Sequence, residues 1–191
     1  MAATVVVKEW NGAGPTATTI TLGRFCTKDM YNAGDTFPCV VPASSFNYSY
    51  WKHFALEFSG SFNKINNIRF HGSGNTKSNW EMGTGGMMMV CRRDSGANGC
   101  PIGDYAQAAG VEGESGYFVA DGTNGHPYYK GQTVQPTDVD TYNSGNPLLI
   151  DDTDITSEGT SFATVLQLKI APDAIQGEQP NEELVWLFDE Q

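Results

Sequence analysis

Alternation of apolar and polar residues is clearest in Phe54-Ala55-Leu56-Glu57-Phe58 and in Phe162-Ala163-Thr164-Val165-Leu166-Gln167-Leu168-Lys169-Ile170. Successive side chains of a strand point to opposite faces, so a period of two is typical of a β-strand with one buried face. The two stretches therefore predict strands that share a hydrophobic core.

Turn-forming residues separate these strands along the whole chain. Glycine and proline account for 22 and 9 of the 191 residues and fall between short alternating runs. Many short strands with turn signals predict an all-β protein, an antiparallel β-sandwich that we expect to be a jelly roll, in one domain over residues 1–191. The alternation predicts these core residues: Phe54, Leu56, Phe58, Ile68, Phe70, Leu166, Leu168, Ile170, Trp186 and Phe188.

One long stretch, residues 93–147, has little periodicity, and we call it the excursion. Loops of this length are uncommon in a compact domain and are usually functional, so we expect the excursion to form the main contact surface. Its best candidate for a helix is 101–109. The predicted interface residues are Tyr105, Tyr117, Phe118, Tyr128, Tyr129 and Tyr142, together with Met87 and Met89 of the apolar run Met87-Met88-Met89-Val90.

The charge of the chain limits its partners. The formal net charge is −11, which argues against binding to a nucleic-acid backbone or to an anionic membrane surface. The first ten residues lack the basic start and long apolar run of a secretory signal, and no stretch approaches the ~18 apolar residues of a membrane span. We therefore expect a protein that is made and folded in a cytoplasm.

Four cysteines, Cys26, Cys39, Cys91 and Cys100, leave two alternatives open. None forms a CxxC pair, so no structural zinc site is predicted. The spacing permits disulfides between Cys26 and Cys39 and between Cys91 and Cys100, whereas a reducing cytoplasm favours four free thiols.

The acidic run Asp151-Asp152-Thr153-Asp154 is the preferred candidate for a metal site. Closely spaced carboxylates on a loop can ligate Ca²⁺, and the alternative is a solvated turn between strands. The three histidines, His53, His71 and His126, are far apart and form no HxH or HxxxH pair. We therefore expect scattered structural or surface histidines, and the alternative is a three-histidine metal site. Apart from Ca²⁺ at Asp151, Asp152 and Asp154 we expect no cofactor.

Motifs of catalysis are missing from the sequence. There is no GxSxG nucleophile elbow, and the glycine-rich segment 83–86 is not followed by the Lys-Ser/Thr of a phosphate loop. The chain does contain more aromatic residues than one small core needs. Such rings anchor protein interfaces or stack on sugars, and otherwise they fold back to cover the ends of the sandwich.

Two segments resemble a known family. The segment 58–70, FSGSFNKINNIRF, resembles a strand-turn-strand pattern, GSFNxIxNIxF, of structural proteins from tailed bacteriophages and archaeal tailed viruses. Residues 166–170 and 181–190 resemble the closing strand pair of that family. The resemblance implies a component of the virion, on the capsid rather than in the tail, and no catalytic residue.

These observations predict a non-enzymatic virion structural protein, a capsid decoration or cement protein. We expect it to bind the major capsid protein or other virion proteins and to form a homo-oligomer, a trimer or part of a lattice. The alternatives are a tail-tube or baseplate protein, a carbohydrate-binding β-sandwich module that binds glycans, and a metal-dependent enzyme on a jelly roll.

Overall fold

The computed structural model of the chain describes residues 2–191, so Met1 of the predicted domain lies outside the described residues. Strands make up 34% of the chain and helices 5%, which confirms the all-β, antiparallel prediction. The strands are β1 (Thr4–Asn11), β2 (Thr16–Ile20), β3 (Asn47–Tyr48), β4 (Lys52–Ser59), β5 (Ile65–His71), β6 (Met87–Val90), β7 (Gly110–Val111), β8 (Ser115–Gly116), β9 (Thr137–Asp138), β10 (Leu148–Asp151), β11 (Gly159–Thr160), β12 (Thr164–Ile170) and β13 (Val185–Glu190).

Helical structure within residues 2–191 is limited to α1 (Thr76–Asn79) and two 3₁₀ turns, Ile102–Asp104 and Val139–Thr141. The best candidate for a helix, 101–109, is helical only in the first of these turns. Tyr105 leaves the helical conformation, with φ −50° and ψ 138°. Beyond it, the carbonyl of Ala106 accepts a hydrogen bond from the indole of Trp51, the residue just before β4, so tertiary contacts override the local helix preference.

The strands form two large sheets that pack face to face. The eight-stranded sheet has the order β2-β1-β4-β12-β6-β9, with β11 beside β4 and β3 beside β12. The second sheet has the order β10-β5-β13, and β7 and β8 form a separate hairpin. Both large sheets supply side chains to one hydrophobic core, as in a β-sandwich; the jelly-roll connectivity stays a prediction.

The core between the sheets contains the residues that the alternation predicted. Eight of the ten are at most 7% exposed, and Trp186 and Phe188 are partly buried against them. Strand pairing brings the same faces together, since Val7 is opposite Leu56. The ring of Trp186 lies 5.1 Å from that of Phe70, so the closing strand β13 contributes to the core.

The apolar run of β6 is explained by burial on both faces. Met88 and Val90 face the core between the sheets. Met89, on the opposite face, is 2% exposed, and Cys91 just beyond the strand belongs to a second hydrophobic cluster. The strand is therefore apolar throughout because it has a packed layer on each side, within one subunit.

The excursion supplies that second layer. Val119 and Tyr129 pack with Trp51 and Val165 against the outer face of the eight-stranded sheet. Gln167 joins the layers, because its Oε1 accepts from the backbone N–H of Val119 at 2.9 Å. Much of the excursion is therefore a cover for the sheet rather than a free loop.

Asp94 connects the beginning of the excursion to residues 133–134 and makes the stability of the protein depend on pH. Its carboxylate accepts hydrogen bonds of 2.7 to 3.0 Å from the N–H and hydroxyl of Thr133 and the N–H of Val134, and these bonds lower the pKa of Asp94. A pKa depressed by folding stabilises the fold above the unfolded value and loses that effect as the pH falls through the folded value. We expect Asp94→Asn to lower Tm at neutral pH.

The difference in Tm between wild type and Asp94→Asn should shrink as the pH falls from the ordinary aspartate pKa of about 3.9 toward the lower pKa of Asp94 in the folded protein. Thermal denaturation between neutral pH and pH ~3 measures it. Asp152→Asn, at another exposed acid, is the control. A difference that stays constant over this range would contradict the assigned role of the carboxylate.

Candidate functional site

Two histidines and a cysteine that are distant in the sequence meet inside the protein. His53, Cys100 and His126 are each at most 2% exposed. The two Nε2 atoms lie 2.9 Å apart, and the ligand atoms of the three side chains all lie within 4.8 Å of one another. Within residues 2–191 this is the one group of three or more His, Cys, Asp or Glu side chains that could hold a metal ion.

The eight-stranded sheet positions the first two of these side chains. His53 lies in β4 next to Phe54, so its ring points away from the core face that Phe54 occupies. Cys100 is joined to Ala163 by reciprocal backbone hydrogen bonds of 2.8 and 2.7 Å. The sheet therefore presents one imidazole and one thiol to the layer formed by the excursion.

A turn of the excursion places the third side chain, that of His126, in the cluster. The backbone N–H of His126 donates to the carbonyl of Val119 at 2.8 Å, and that of Gly125 donates to the carbonyl of Asp121 at 2.9 Å. A Cβ at position 125 would lie 2.4 Å from the carbonyl oxygen of Asp121. The turn therefore requires glycine immediately before the histidine.

Aromatic rings enclose the cluster. The ring centroid of His126 lies 5.6 Å from Trp51 and 5.2 Å from Tyr129, and that of His53 lies 4.6 Å from Tyr105. These rings shield the three polar side chains from solvent, and a low-dielectric enclosure of this kind disfavours charged forms.

Hydrogen bonds define the tautomers of the two imidazoles. The Nδ1 of His126 accepts from the backbone N–H of Tyr128 at 3.1 Å, so its proton is on Nε2 and is donated to the Nε2 of His53. Burial lowers the pKa of His126 to about 4. Burial, and then the neighbouring His126, hold the pKa of His53 well below its ordinary value. Both rings are therefore neutral at neutral pH, the form that binds metals.

Cys100 is a thiol in this state of the protein. Burial, and then the charge of Asp104, raise its pKa to about 12. Its Sγ lies 3.4 Å from the carbonyl oxygen of Pro101 and 3.5 Å from that of Asp104, and these oxygens accept from the thiol. A buried thiol with a raised pKa is a poor nucleophile, so the cluster is not arranged for cysteine catalysis.

A buried ion pair lies on the core side of the same sheet. Lys52 and Glu9 are both fully buried, with Nζ and Oε1 2.5 Å apart. The Nζ of Lys52 also donates to the carbonyl of Met30 at 2.7 Å, and the amide of Asn11 donates to Glu9 at 3.0 Å. The pair therefore joins β1, β4 and the loop after β2.

The structure places the predicted interface residues in several environments. Tyr129, Tyr142 and Met89 are buried inside the subunit, which removes them from the surface and is a correction to their predicted role. Tyr105, Phe118, Tyr128 and Met87 are partly buried. Tyr117, 39% exposed, is the one of the eight among the large exposed hydrophobic residues of the described chain.

Among the described residues, the three carboxylates of the acidic run are not grouped as metal ligands, so calcium at Asp151, Asp152 and Asp154 stays a prediction without geometric support. Asp151 is buried, and its carboxylate is already an acceptor for Thr153 and for the backbone N–H of Phe162. Asp152 is exposed, and Asp154 lies 3.6 Å from the ammonium of Lys64. Alternation along the chain separates these carboxylates, and protein donors satisfy the inner one.

Sequence reasoning missed the cluster because no local spacing signals it. The sequence alone predicts scattered histidines at positions 53 and 126 and permits, without requiring, a disulfide between Cys91 and Cys100. All four cysteines are free thiols in the structure. His71, the third histidine, lies in β5 of the other sheet, so the cluster consists of two histidines and a cysteine rather than three histidines.

No protein-family model, no curated protein and no solved structure matches this chain. Across the described residues, the chain forms no helix with the length and apolar character needed to cross a membrane.

Proposed function

We propose that this protein is a non-catalytic structural subunit of a virus particle, which binds the capsid shell as a decoration or cement protein. The observation that carries the proposal is the position of its exposed apolar side chains. Seven of the eight large hydrophobic residues exposed in the described chain fall in two segments, 22–46 and 110–117. We call these residues the loop surface: Leu22, Met30, Tyr31, Val40, Phe46, Val111 and Tyr117.

The two segments of the loop surface contact each other. The carbonyl of Thr27 accepts from the backbone N–H of Gly113 at 3.3 Å, and Lys28 pairs with Glu112 at 2.7 Å. Exposed apolar side chains on neighbouring segments favour a protein interface, where apolar and aromatic residues act as anchors. This assigns the main contact surface to the loop after β2 and the hairpin of β7 and β8.

The longer segment is held firmly although it contains no strand before β3. The N–H of Thr27 donates to the carbonyl of Phe37, and the N–H of Tyr50 donates to the carbonyl of Cys26, both at 2.9 Å. The ammonium of the buried Lys52 donates a hydrogen bond to the carbonyl of Met30 in the same segment. A preformed loop loses less conformational freedom on association, which favours binding.

The remaining geometry supports a role without catalysis. Two surface depressions contain none of the three clustered side chains. One is lined by residues 28–29, 50, 107–110 and 112, and the other by residues 2, 61–63 and 190–191. The cluster itself is enclosed, so a substrate has no route to it in this conformation. The glycan-binding alternative gains little support, because Tyr128 stacks on Arg93 and Tyr129 is buried.

Density-gradient sedimentation tests the proposal. In cultures that produce the protein, the chain is expected to sediment with virus particles, as followed by immunoblotting. Tyr31→Asp, which adds a charge to the loop surface, is expected to shift the chain to the soluble fractions. Gln135→Asp, which adds the same charge to the excursion, is the matched control and should remain with the particles.

The opposite pattern, in which Gln135→Asp is released and Tyr31→Asp is retained, would place the contact surface on the part of the excursion around residue 135, outside the loop surface. A wild-type chain that never leaves the top of the gradient would contradict the virion proposal. Binding of that chain to a glycan array would then favour the carbohydrate-binding alternative.

A further inference from the structure

We propose that His53, Cys100 and His126 form a structural metal site that binds one Zn²⁺-class divalent ion and fastens the excursion to the eight-stranded sheet. The site is independent of the loop surface, which lies on other segments. Its function would be stability of the subunit rather than chemistry on a substrate.

The donor set favours this class of metal. Two neutral imidazole nitrogens and one thiolate sulfur suit Zn²⁺ better than the oxygen-preferring Ca²⁺ or Mg²⁺. The three donors come from β4, from the bridge at Cys100 and from the turn at His126. An ion held by all three would connect elements that are otherwise joined by packing and a few hydrogen bonds.

Coordination requires only small movements of the two rings. With Zn–N bonds of about 2.0–2.1 Å in a tetrahedral site, the two nitrogens stand about 3.3 Å apart. The observed separation is 2.9 Å, so the rings must part by about 0.4 Å. The sulfur should lie about 3.6 Å from each nitrogen. The donor atoms now lie within 4.8 Å of one another, so the sulfur of Cys100 moves inward by about 1.2 Å at most.

Protons must also be rearranged. The imidazole proton that His126 now donates to His53 moves to Nδ1, which ends the hydrogen bond from the N–H of Tyr128. The Cys100 thiol releases its proton to solvent, and the thiolate and both Nε2 lone pairs bind the ion. One proton leaves for each ion bound, and the buried thiolate partly neutralises the charge of the metal.

The fourth position has no ligand from a fourth histidine, cysteine or carboxylate of residues 2–191. The carbonyl oxygens of Pro101 and Asp104 approach the sulfur of Cys100. Three protein ligands are the number found in catalytic zinc sites, where water or substrate takes the fourth position. Here the whole group is buried, so substrate has no access, and we expect a backbone carbonyl or an enclosed water to complete a structural site.

The test is refolding of the full chain with Co²⁺ as the probe, because a buried site exchanges slowly in the folded protein. The chain is unfolded with reductant and chelator, refolded with or without Co²⁺, and desalted. We expect one Co²⁺ per chain by elemental analysis, a thiolate-to-cobalt charge-transfer absorption, and a higher Tm than that of the metal-free protein, since an ion bound only by the native state stabilises it.

Two serine variants identify the ligand. Cys100→Ser should remove the charge-transfer absorption. Loss of an outer partner of a ligand already costs 10–100-fold in affinity, so loss of the ligand itself should lower Co²⁺ affinity by more than about 100-fold. Cys91→Ser, at a buried thiol of the same hydrophobic cluster but outside the ligand group, should keep the ion and the absorption.

Wild-type protein that retains no Co²⁺ would overturn the proposal and leave the histidines as a simple hydrogen-bonded pair. An absorption that persists in Cys100→Ser would also overturn it. If Cys100→Ser does not fold, X-ray absorption of the Zn²⁺-loaded wild type decides. One sulfur and two imidazole ligands support the site, and a shell without sulfur rejects it.

Discussion

Lys52→Met is expected to destabilise the protein by about 3–5 kcal/mol, because it leaves the carboxylate of Glu9 buried without its cation. Both members of the pair are fully buried. Within the described chain, the Oε2 of Glu9 has no hydrogen-bond partner, so the carboxylate depends strongly on the ammonium. Urea denaturation followed by circular dichroism measures the loss.

The double variant Glu9→Leu/Lys52→Met is the control that separates charge from packing. Replacing both charges with apolar groups removes the need to bury an unpaired ion, so it should be less destabilising than Lys52→Met alone. Equal or greater destabilisation would show that shape rather than charge dominates. A loss below about 1 kcal/mol for the single variant would be in the range of ordinary substitutions and would contradict the importance of the pair.

The same variant should loosen the loop surface. Lys52 donates to the carbonyl of Met30, and that bond connects segment 22–46 to the sheet. In Lys52→Met we expect faster amide hydrogen exchange in this segment than in β12, because a local contact is lost while the central strand keeps its ladder. The proposed contact surface and the buried ion pair are therefore linked through one hydrogen bond.

Phe70→Ala is the second large effect, a loss of about 3–5 kcal/mol. Phe70 is fully buried in β5 and is paired with Leu148 and Trp186 on the two neighbouring strands. Truncation leaves a cavity at the centre of the smaller sheet, which close packing cannot fill without moving both neighbours. The free energy of unfolding from urea titration measures the effect.

Phe46→Ala is the matched control, since the same ring is removed from a side chain that is 37% exposed. Its cost should stay below about 1 kcal/mol, the loss of one cation–π contact with Lys169 at the surface. Similar losses at positions 46 and 70 would mean that the core is not where the structure places it.

The proposed metal ion would affect the stability of the subunit, whereas the loop surface would affect its association with the capsid. The ion would hold the layer that covers the outer face of the sheet, while five of the seven residues of the loop surface lie on the segment 22–46 that Lys52 holds. A chain loaded with metal would therefore present the same contact surface in a more stable subunit. Variants of Cys100 should change Tm, whereas Tyr31→Asp should change association and leave Tm nearly constant.

The strands and the core between the sheets could be predicted from the sequence alone. Period-two alternation is a local property of an extended backbone, so it appears in the order of residues within β4, β5 and β12. The positions that alternate, such as Leu56 and Leu168, are the ones that the structure buries. Only β13 is less buried than predicted, because Trp186 and Phe188 lie partly buried at the edge of the smaller sheet.

Only the tertiary structure shows which residues from distant parts of the sequence come into contact. His53 and His126 are 73 residues apart, and Lys52 and Glu9 are 43 residues apart, so neither pair leaves a local spacing in the chain. The excursion lacks a period because single side chains such as Val119 and Tyr129, rather than one face of a regular element, contact the sheet. Periodicity follows from local backbone geometry, whereas the cluster and the loop surface follow from the way separate segments fold against one sheet.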